Sequence, residues 1–290
     1  MKVLAVYNIK GGVGKTTATV NLAYHASRSG ARVLVWDLDP QSAATFYFRV
    51  QAHVDGGGKR LMRGKTELAS LVRGTDHPGL DLVPADFSYR HMDRVLGDQN
   101  GSRTRLAELL APLASRYDCV FFDCPPSISM VSENVFHAAD ALLVPMIPTT
   151  LSLRTLNQLE AFRSERDGLQ KLQVYPFLSM VDRRKRLHAE LETRLAQERS
   201  DFLRASVPYA SDAEKMGIQR APIATYAPRS VVAGAFDALW QEIQGRLYDT
   251  RPAASVMPVQ TAQRPCVICG FGLQPAARGW ACGNCGYHDE

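Results

Sequence analysis

Val3-Leu4-Ala5-Val6-Tyr7-Asn8-Ile9-Lys10-Gly11-Gly12-Val13-Gly14-Lys15-Thr16-Thr17 is the stretch that decides the fold. An apolar run of strand character passes into a glycine-rich turn and then into helix-compatible sequence, the layout of a phosphate-binding loop. Gly11, Gly12 and Gly14 let backbone N–H groups converge on phosphate oxygens, because a residue without Cβ tolerates that approach. A helix opening near Lys15 adds the positive end of its dipole. Lys15 is expected to reach the β- and γ-phosphates and the Thr16 hydroxyl to ligate Mg²⁺, with Val13 and Thr17 completing the cradle. The stretch predicts binding of a nucleoside triphosphate with Mg²⁺.

Two further strand ends belong to the same pattern. Residues 17–29 are helix-compatible and stop at Gly30, a C-cap residue. Arg32-Val33-Leu34-Val35-Trp36 reads as a strand that empties into Asp37-Leu38-Asp39-Pro40-Gln41. Two carboxylates at the C-terminal edge of a sheet stand where doubly wound sheets bind ligands. Asp39-Pro40 alone also reads as a plain turn. Asp118-Cys119-Val120-Phe121-Phe122-Asp123 is a buried-strand run ending in an acid, the form in which Asp123 holds Mg²⁺ directly or through water. Strands alternating with helical stretches predict an α/β fold, a doubly wound and mostly parallel sheet covered on both faces.

The loop departs from the ordinary G-x-x-x-x-G-K-[ST] pattern, with Ile9 where that pattern has glycine and with an added Lys10. It resembles the deviant Walker A loop, K-G-G-x-x-K-[ST], of the ParA/MinD family of ATPases. The resemblance implies that Lys10 crosses a dimer interface to phosphates held by the other subunit, against the alternative of a solvated loop cation. It implies ATP as the nucleotide, Asp39 as the carboxylate that orients the attacking water, and Asp37 as support for the Mg²⁺ shell. It assigns Asp123 to the Walker B position and makes the loop at Pro125-Pro126 a sensor of the γ-phosphate. The resemblance continues through a strand at 138–145, a helix opening at 148–156 and an apolar run at 174–179. The base would be held near Met180 and Pro208, although Pro208 also reads as a turn proline. Ala221-Pro222-Ile223 to Trp240 follows the family's closing pattern, so the match covers about residues 1–248.

A chain of 290 residues with 46% apolar content can bury a full α/β core with a small appendage. No apolar run of about 18 residues predicts a membrane span. A start directly into a core strand leaves no room for a signal peptide, which with reduced cysteines points to the cytoplasm. Residues 53–65, with Gly56-Gly57-Gly58-Lys59-Arg60, read as a mobile insert. There are no internal repeats.

Cys266-x₂-Cys269, twelve residues, then Cys282-x₂-Cys285 is the spacing of a four-cysteine zinc ribbon. Gly270 and Gly286 suit knuckle turns, and four thiolates would close a structural Zn²⁺ site on which so small a module depends. Two disulfides or an iron–sulfur site are the competing readings. Residues 250–263 are poor in large apolar side chains and hold Pro252 and Pro258, as a tether does. The expected organisation is a nucleotide domain at 1–249, a linker at 250–263 and a zinc ribbon at 264–290. Cys119 reads as a small core hydrophobe; Cys124 has no assigned chemistry.

The formal net charge is +5, and residues 183–220 hold nine cations, Arg183-Arg184-Lys185-Arg186 among them, against six acids. A solvated face explains that balance as well as a binding surface does. The resemblance favours non-specific DNA, bound through phosphates with strong salt dependence. Phe236, Leu239, Trp240, Ile243 and Leu247 share one helical face, which reads as packing on the sheet rather than on a membrane. The implied function is an ATP-dependent homodimerising switch, cytoplasmic and nucleoid-associated. Through slow hydrolysis it would segregate or position a cargo, with a ParB-like or other cargo adaptor stimulating turnover. A membrane-associated MinD-like positioning ATPase and an electron-transfer ATPase like the nitrogenase iron protein are the alternatives.

Overall fold

The strand β1 (Lys2–Val6) is buried from Val3 onward and alternates between two cores. Val3 and Ala5 join one apolar cluster while Leu4 and Val6 join the other. Burial on both faces is what a parallel sheet sandwiched between helices requires. In the computed structural model, residues 1–98 and 103–248 are described, with the backbone of 274–275, 280–281 and 288–289.

Six more strands complete the main sheet: β2 (Val33–Asp37), β3 (Arg73–Gly74), β4 (Leu80–Val83), β5 (Cys119–Asp123), β6 (Ala141–Met146) and β7 (Gln173–Leu178). Their order is β3-β4-β2-β5-β1-β6-β7, and only the β3/β4 pair is antiparallel. This is a mostly parallel, doubly wound α/β sheet. Its central feature is that β5 lies between β1 and β2, so the loops after all three strands meet at one edge. Register makes this concrete: Asp123 stands level with Val6 on one side and with Asp37 on the other.

Helix α1 (Lys15–Arg28) and the closing helix Val231–Tyr248 cover one face. Phe236, Leu239, Trp240 and Ile243 are buried there, with Leu247 packed at the margin. Trp240 lies 6.0 Å from Phe121 and its indole N–H donates to Ser29 Oγ at 3.2 Å. The apolar face of this helix is therefore consumed by the sheet. Among the described residues, no helix is long and apolar enough to cross a membrane.

The segment expected to be a mobile insert is part of the core. Residues Gly57–Met62 form a short helix, α3, and Val54, Leu61 and Met62 are buried in the cluster that contains Trp36 and Phe122. A Cβ on Gly58 would stand 2.8 Å from the Tyr89 ring, so glycine is the residue that lets this helix close on its neighbour. The glycines that read as flexibility in sequence serve close approach in the fold.

Far along the chain, β8 (Gln274–Pro275), β9 (Trp280–Ala281) and β10 (His288–Asp289) form a small antiparallel sheet in the order β10-β9-β8. Cys266, Cys269, Cys282 and Cys285, and the linker at 250–263, lie outside the described residues.

Candidate functional site

The phosphate-loop geometry follows from three local features. Gly12 and Gly14 take positive φ, +70° and +89°, and Gly14 is the left-handed residue from which α1 starts. Asn8 is buried and acts as a brace: its side-chain amide donates to Pro145 O at 2.8 Å, and its Oδ1 accepts the Lys10 N–H at 2.9 Å. Lys15 turns back over the loop and donates from Nζ to Lys10 O at 2.9 Å. That ammonium thus sits inside the curve where phosphate oxygens would replace the carbonyl. Among the described residues the Lys10 ammonium has no carboxylate partner, and the residue is partly exposed at the rim.

The two other strand ends bring three acids beside this loop. Asp123 is fully buried; its Oδ1 accepts from Thr19 Oγ1 at 3.1 Å, while its Oδ2 has no hydrogen-bond partner. The Thr16 hydroxyl still lies close enough to favour the ionised carboxyl, without reaching Oδ2 in hydrogen-bond geometry. Burial and then the neighbouring Asp37 charge push the Asp123 carboxyl well above the usual carboxylate range. Asp37, also fully buried, is pushed up to about 6 by burial, against hydrogen bonds from Thr45 and Asp39 that favour its charge. Burial of the Lys15 ammonium lowers its pKa, partly offset by Asp123. A buried carboxylate with an orphaned oxygen beside a threonine hydroxyl is the donor set a hard dication takes. The residues therefore fit Mg²⁺ at Thr16 and Asp123, and phosphates at Gly11–Thr17.

Asp37 differs from this. Its Oδ2 accepts from Thr45 N–H at 2.9 Å and Thr45 Oγ1 at 2.7 Å, and its Oδ1 accepts from Asp39 N–H at 3.1 Å. Asp39 is half-buried, with Oδ1 accepting from Gln41 N–H at 2.9 Å. Tyr7, at the end of β1, donates from its hydroxyl to Ser127 O at 2.9 Å and so ties the phosphate loop to the segment after β5.

Met180 and Pro208 do meet beside the loop. Val181 pairs with Pro208 in an isolated parallel bridge, with Val181 N–H donating to Val207 O and Tyr209 N–H to Val181 O, each at 3.0 Å. Met180 takes φ +56°, a left-handed conformation that costs a non-glycine residue about 1 kcal/mol. Its methyl is then 3.6 Å from where a Gly14 Cβ would be. A cavity of about 240 Å³ opens here, lined by Gly14, Thr17, Ser179, Met180, Pro208 and Glu214 among others. Asn8, Thr19, Thr45 and Glu214 were not legible in the sequence, because a single polar residue in a helix or loop carries no spacing signal.

Residues 1–169 match the AAA_31 family of AAA domains. The chain is 32% identical over 203 residues to the chromosome partitioning protein ParA of Caulobacter vibrioides, covering 66% of this chain and 74% of that one. The chain belongs to the ParA-like P-loop ATPases. An uncharacterised Pseudomonas putida protein is 38% identical over 159 residues, 54% of this ParA-like chain; the match spans only 60% of that relative's length. Among solved structures, cobyrinic acid a,c-diamide synthase from Mycobacterium smegmatis, with ATP analog and magnesium bound, aligns with a TM-score of 0.74 at 25% identity. That alignment covers 86% of this chain and 96% of the synthase.

The basic stretch of this ParA-like chain is largely paired. Arg183, Arg184, Arg186, Arg194, Arg199 and Lys215 each contact a carboxylate, so six of the nine cations at 183–220 have acidic neighbours. Cys119 and Cys124 are buried, and burial pushes both thiols up.

The raised Asp123 carboxyl yields a stability prediction. A folded pKa above the unfolded value near 4 means the ionised form opposes folding, so stability contributed by protonation is lost as pH rises through the folded value. Asp123→Asn keeps the acceptor for Thr19 and removes the charge. In nucleotide-free protein at pH 7.5 the Tm should rise by about 3 °C, with the gain shrinking towards pH 5. An unchanged or lower Tm at pH 7.5 in calorimetry would show that the buried charge is already compensated.

Proposed function

We propose that this chain is an ATP-driven dimerising switch that binds DNA without sequence preference and positions a cargo through slow hydrolysis. The carrying observation is the convergence of the Lys10–Thr17 loop, Asp39 and Asp123 at one sheet edge, with an uncommitted Lys10 at its rim. Gly11–Thr17 and Lys15 would hold the phosphates, and Thr16 and Asp123 would hold Mg²⁺. Magnesium, when bound, supplies charge neutralisation at the phosphates. Asp39 would orient the attacking water, and Lys10 would reach the phosphates of the partner subunit and stabilise spreading negative charge there. The deviant form of the loop, with Lys10, belongs to this reading. Met180 and Pro208 would contact the base in the cavity they line. Tyr7 and its bond to Ser127 would carry the occupancy of the loop to the Pro125-Pro126 segment.

Arg183, Arg184, Lys185 and Arg186 are exposed beside a larger open cleft, and surface ion pairs of this kind are weak enough for DNA phosphates to displace. A ParB-like or other adaptor would stimulate turnover, in the cytoplasm on the nucleoid. The buried apolar face of the closing helix disfavours a MinD-like membrane role. The buried Cys119 and Cys124 disfavour an electron-transfer role through them. At the C-terminus, residues 264–290 would be a zinc ribbon reached through a linker at 250–263. Its support is the cysteine spacing together with the small antiparallel sheet at 274–289.

Light scattering with ATP, ADP and no nucleotide tests the switch. Wild type should dimerise only with ATP, Lys10→Ala should stay monomeric with its nucleotide affinity retained, and Asp39→Ala should accumulate as a dimer that hydrolyses at least about tenfold more slowly. Unchanged dimerisation of Lys10→Ala would remove the trans role, and normal turnover of Asp39→Ala would remove the water-orienting role. Metal analysis should find about one zinc per chain, retained until the thiols are modified. Absence of zinc from protein with four free C-terminal thiols would contradict the ribbon.

A further inference from the structure

Asp37 stands at the site but has its oxygens turned to the protein. Three donors occupy them: the Thr45 N–H, the Thr45 hydroxyl and the Asp39 N–H. Thr45, on the short helix α2 (Ala43–Tyr47), is itself fully buried. Its Oγ1 donates to Asp37 and accepts the Ala85 N–H at 3.0 Å, so this one hydroxyl links the end of β2 to the segment after β4. Beyond Ala85, Asp86 accepts from Ser88 N–H at 2.8 Å and from Val54 N–H at 3.3 Å. Ser88 Oγ in turn accepts the Gly58 N–H at 2.8 Å. The segment at 54–58, buried at Val54 and Gly58, is thus wired to Thr45, and Thr45 to Asp37.

We infer that Thr45 is a positioning residue for hydrolysis: by locking the Asp37 carboxylate it fixes the Asp39 backbone, and so the aim of the Asp39 side chain. This rests on Asp39 orienting the attacking water. Asp37 acts from inside the protein rather than as a ligand of the nucleotide's metal. Its two oxygens already accept three bonds, while Asp123 one strand away retains an oxygen with none. The geometry also gives α3 a function. Its docking onto Ser88, together with the Val54 N–H on Asp86 just before it, supports the Ala85 N–H that holds the Thr45 hydroxyl in place. A hydroxyl that donates to a buried carboxylate and accepts a buried N–H cannot be replaced by an apolar group without leaving the Ala85 N–H without its acceptor and the carboxylate one donor short.

Thr45→Val keeps the shape and the backbone donor while removing the hydroxyl, and Thr45→Ser restores it. Amide hydrogen exchange on nucleotide-free protein should show Asp39 and Ala85 exchanging about tenfold faster in Thr45→Val, with β5 and β1 unchanged and Thr45→Ser close to wild type. With ATP, kcat should fall about tenfold in Thr45→Val while KM and ATP affinity stay within about threefold, and Thr45→Ser should recover kcat. Thr45→Ala, which adds no bulk, gives the same reading if the valine variant does not fold. Wild-type exchange at Asp39 would overturn the proposal. So would faster exchange throughout the sheet with KM and kcat failing together, which is the signature of a merely structural role. If Asp39→Ala hydrolyses normally, the water-orienting role itself fails. If Asp39→Ala is slow and Thr45→Val is not, only the Thr45 assignment fails.

Discussion

Asp37 and Asp123 are buried level with each other at the ends of neighbouring strands β2 and β5, and neither can be ionised there without compensation. The fold resolves this differently for the two. Around Asp37 it supplies three protein donors; beside Asp123 it supplies two threonine hydroxyls and leaves one oxygen bare. The first carboxylate becomes part of the scaffold, and the second remains available to a cation. Lys15, drawn back over the loop, contributes positive charge nearby but binds a backbone carbonyl rather than the acid. In the nucleotide-free site, burial disfavours the charged forms of both Asp123 and Lys15, and a Mg²⁺–triphosphate ligand would supply each with a partner of opposite charge.

Strand order makes that arrangement possible. Because β5 lies between β1 and β2, loops distant in the sequence reach the same edge, and in-register pairing sets Val6, Asp123 and Asp37 at one level. The same edge admits the β7 end, where strained Met180 closes on Gly14 and opens the neighbouring cavity. Tyr7 ties the end of β1 to the segment after β5, and the Val181–Pro208 bridge joins that cavity's lining to the residues just before the basic stretch.

Much of this was legible in the sequence, because strands buried on both faces write themselves as apolar runs, and three of them run into the loop or acids that the fold brings to one edge. The phosphate loop, Asp37, Asp39 and Asp123 were all found at strand ends. Met180 and Pro208, expected beside the base, line one cavity next to the loop. The failure was at 53–65, where a run of glycines looks like a loop when only local propensity is read. Gly58 is there because the Tyr89 ring leaves no space for a Cβ, a tertiary fact that no local pattern encodes. Thr19, Thr45 and Asn8 escaped for a related reason: each is one buried polar group whose partner lies across the fold, at Asp123, Ala85 and Pro145 respectively. The charge is less bare in the fold than in the sequence. The basic quartet at 183–186 stands out in sequence, yet three of its four side chains have carboxylate neighbours in the fold.

The central claim is that filling this site changes what the rest of the surface can bind. Binding to random-sequence duplex DNA, measured with ATP, with ADP and without nucleotide across a salt series, tests it most directly. The account predicts tight binding with ATP alone, weakening by at least about tenfold between roughly 50 and 200 mM salt as phosphate contacts are lost. Equal binding in all three nucleotide states, or none in any, would contradict it.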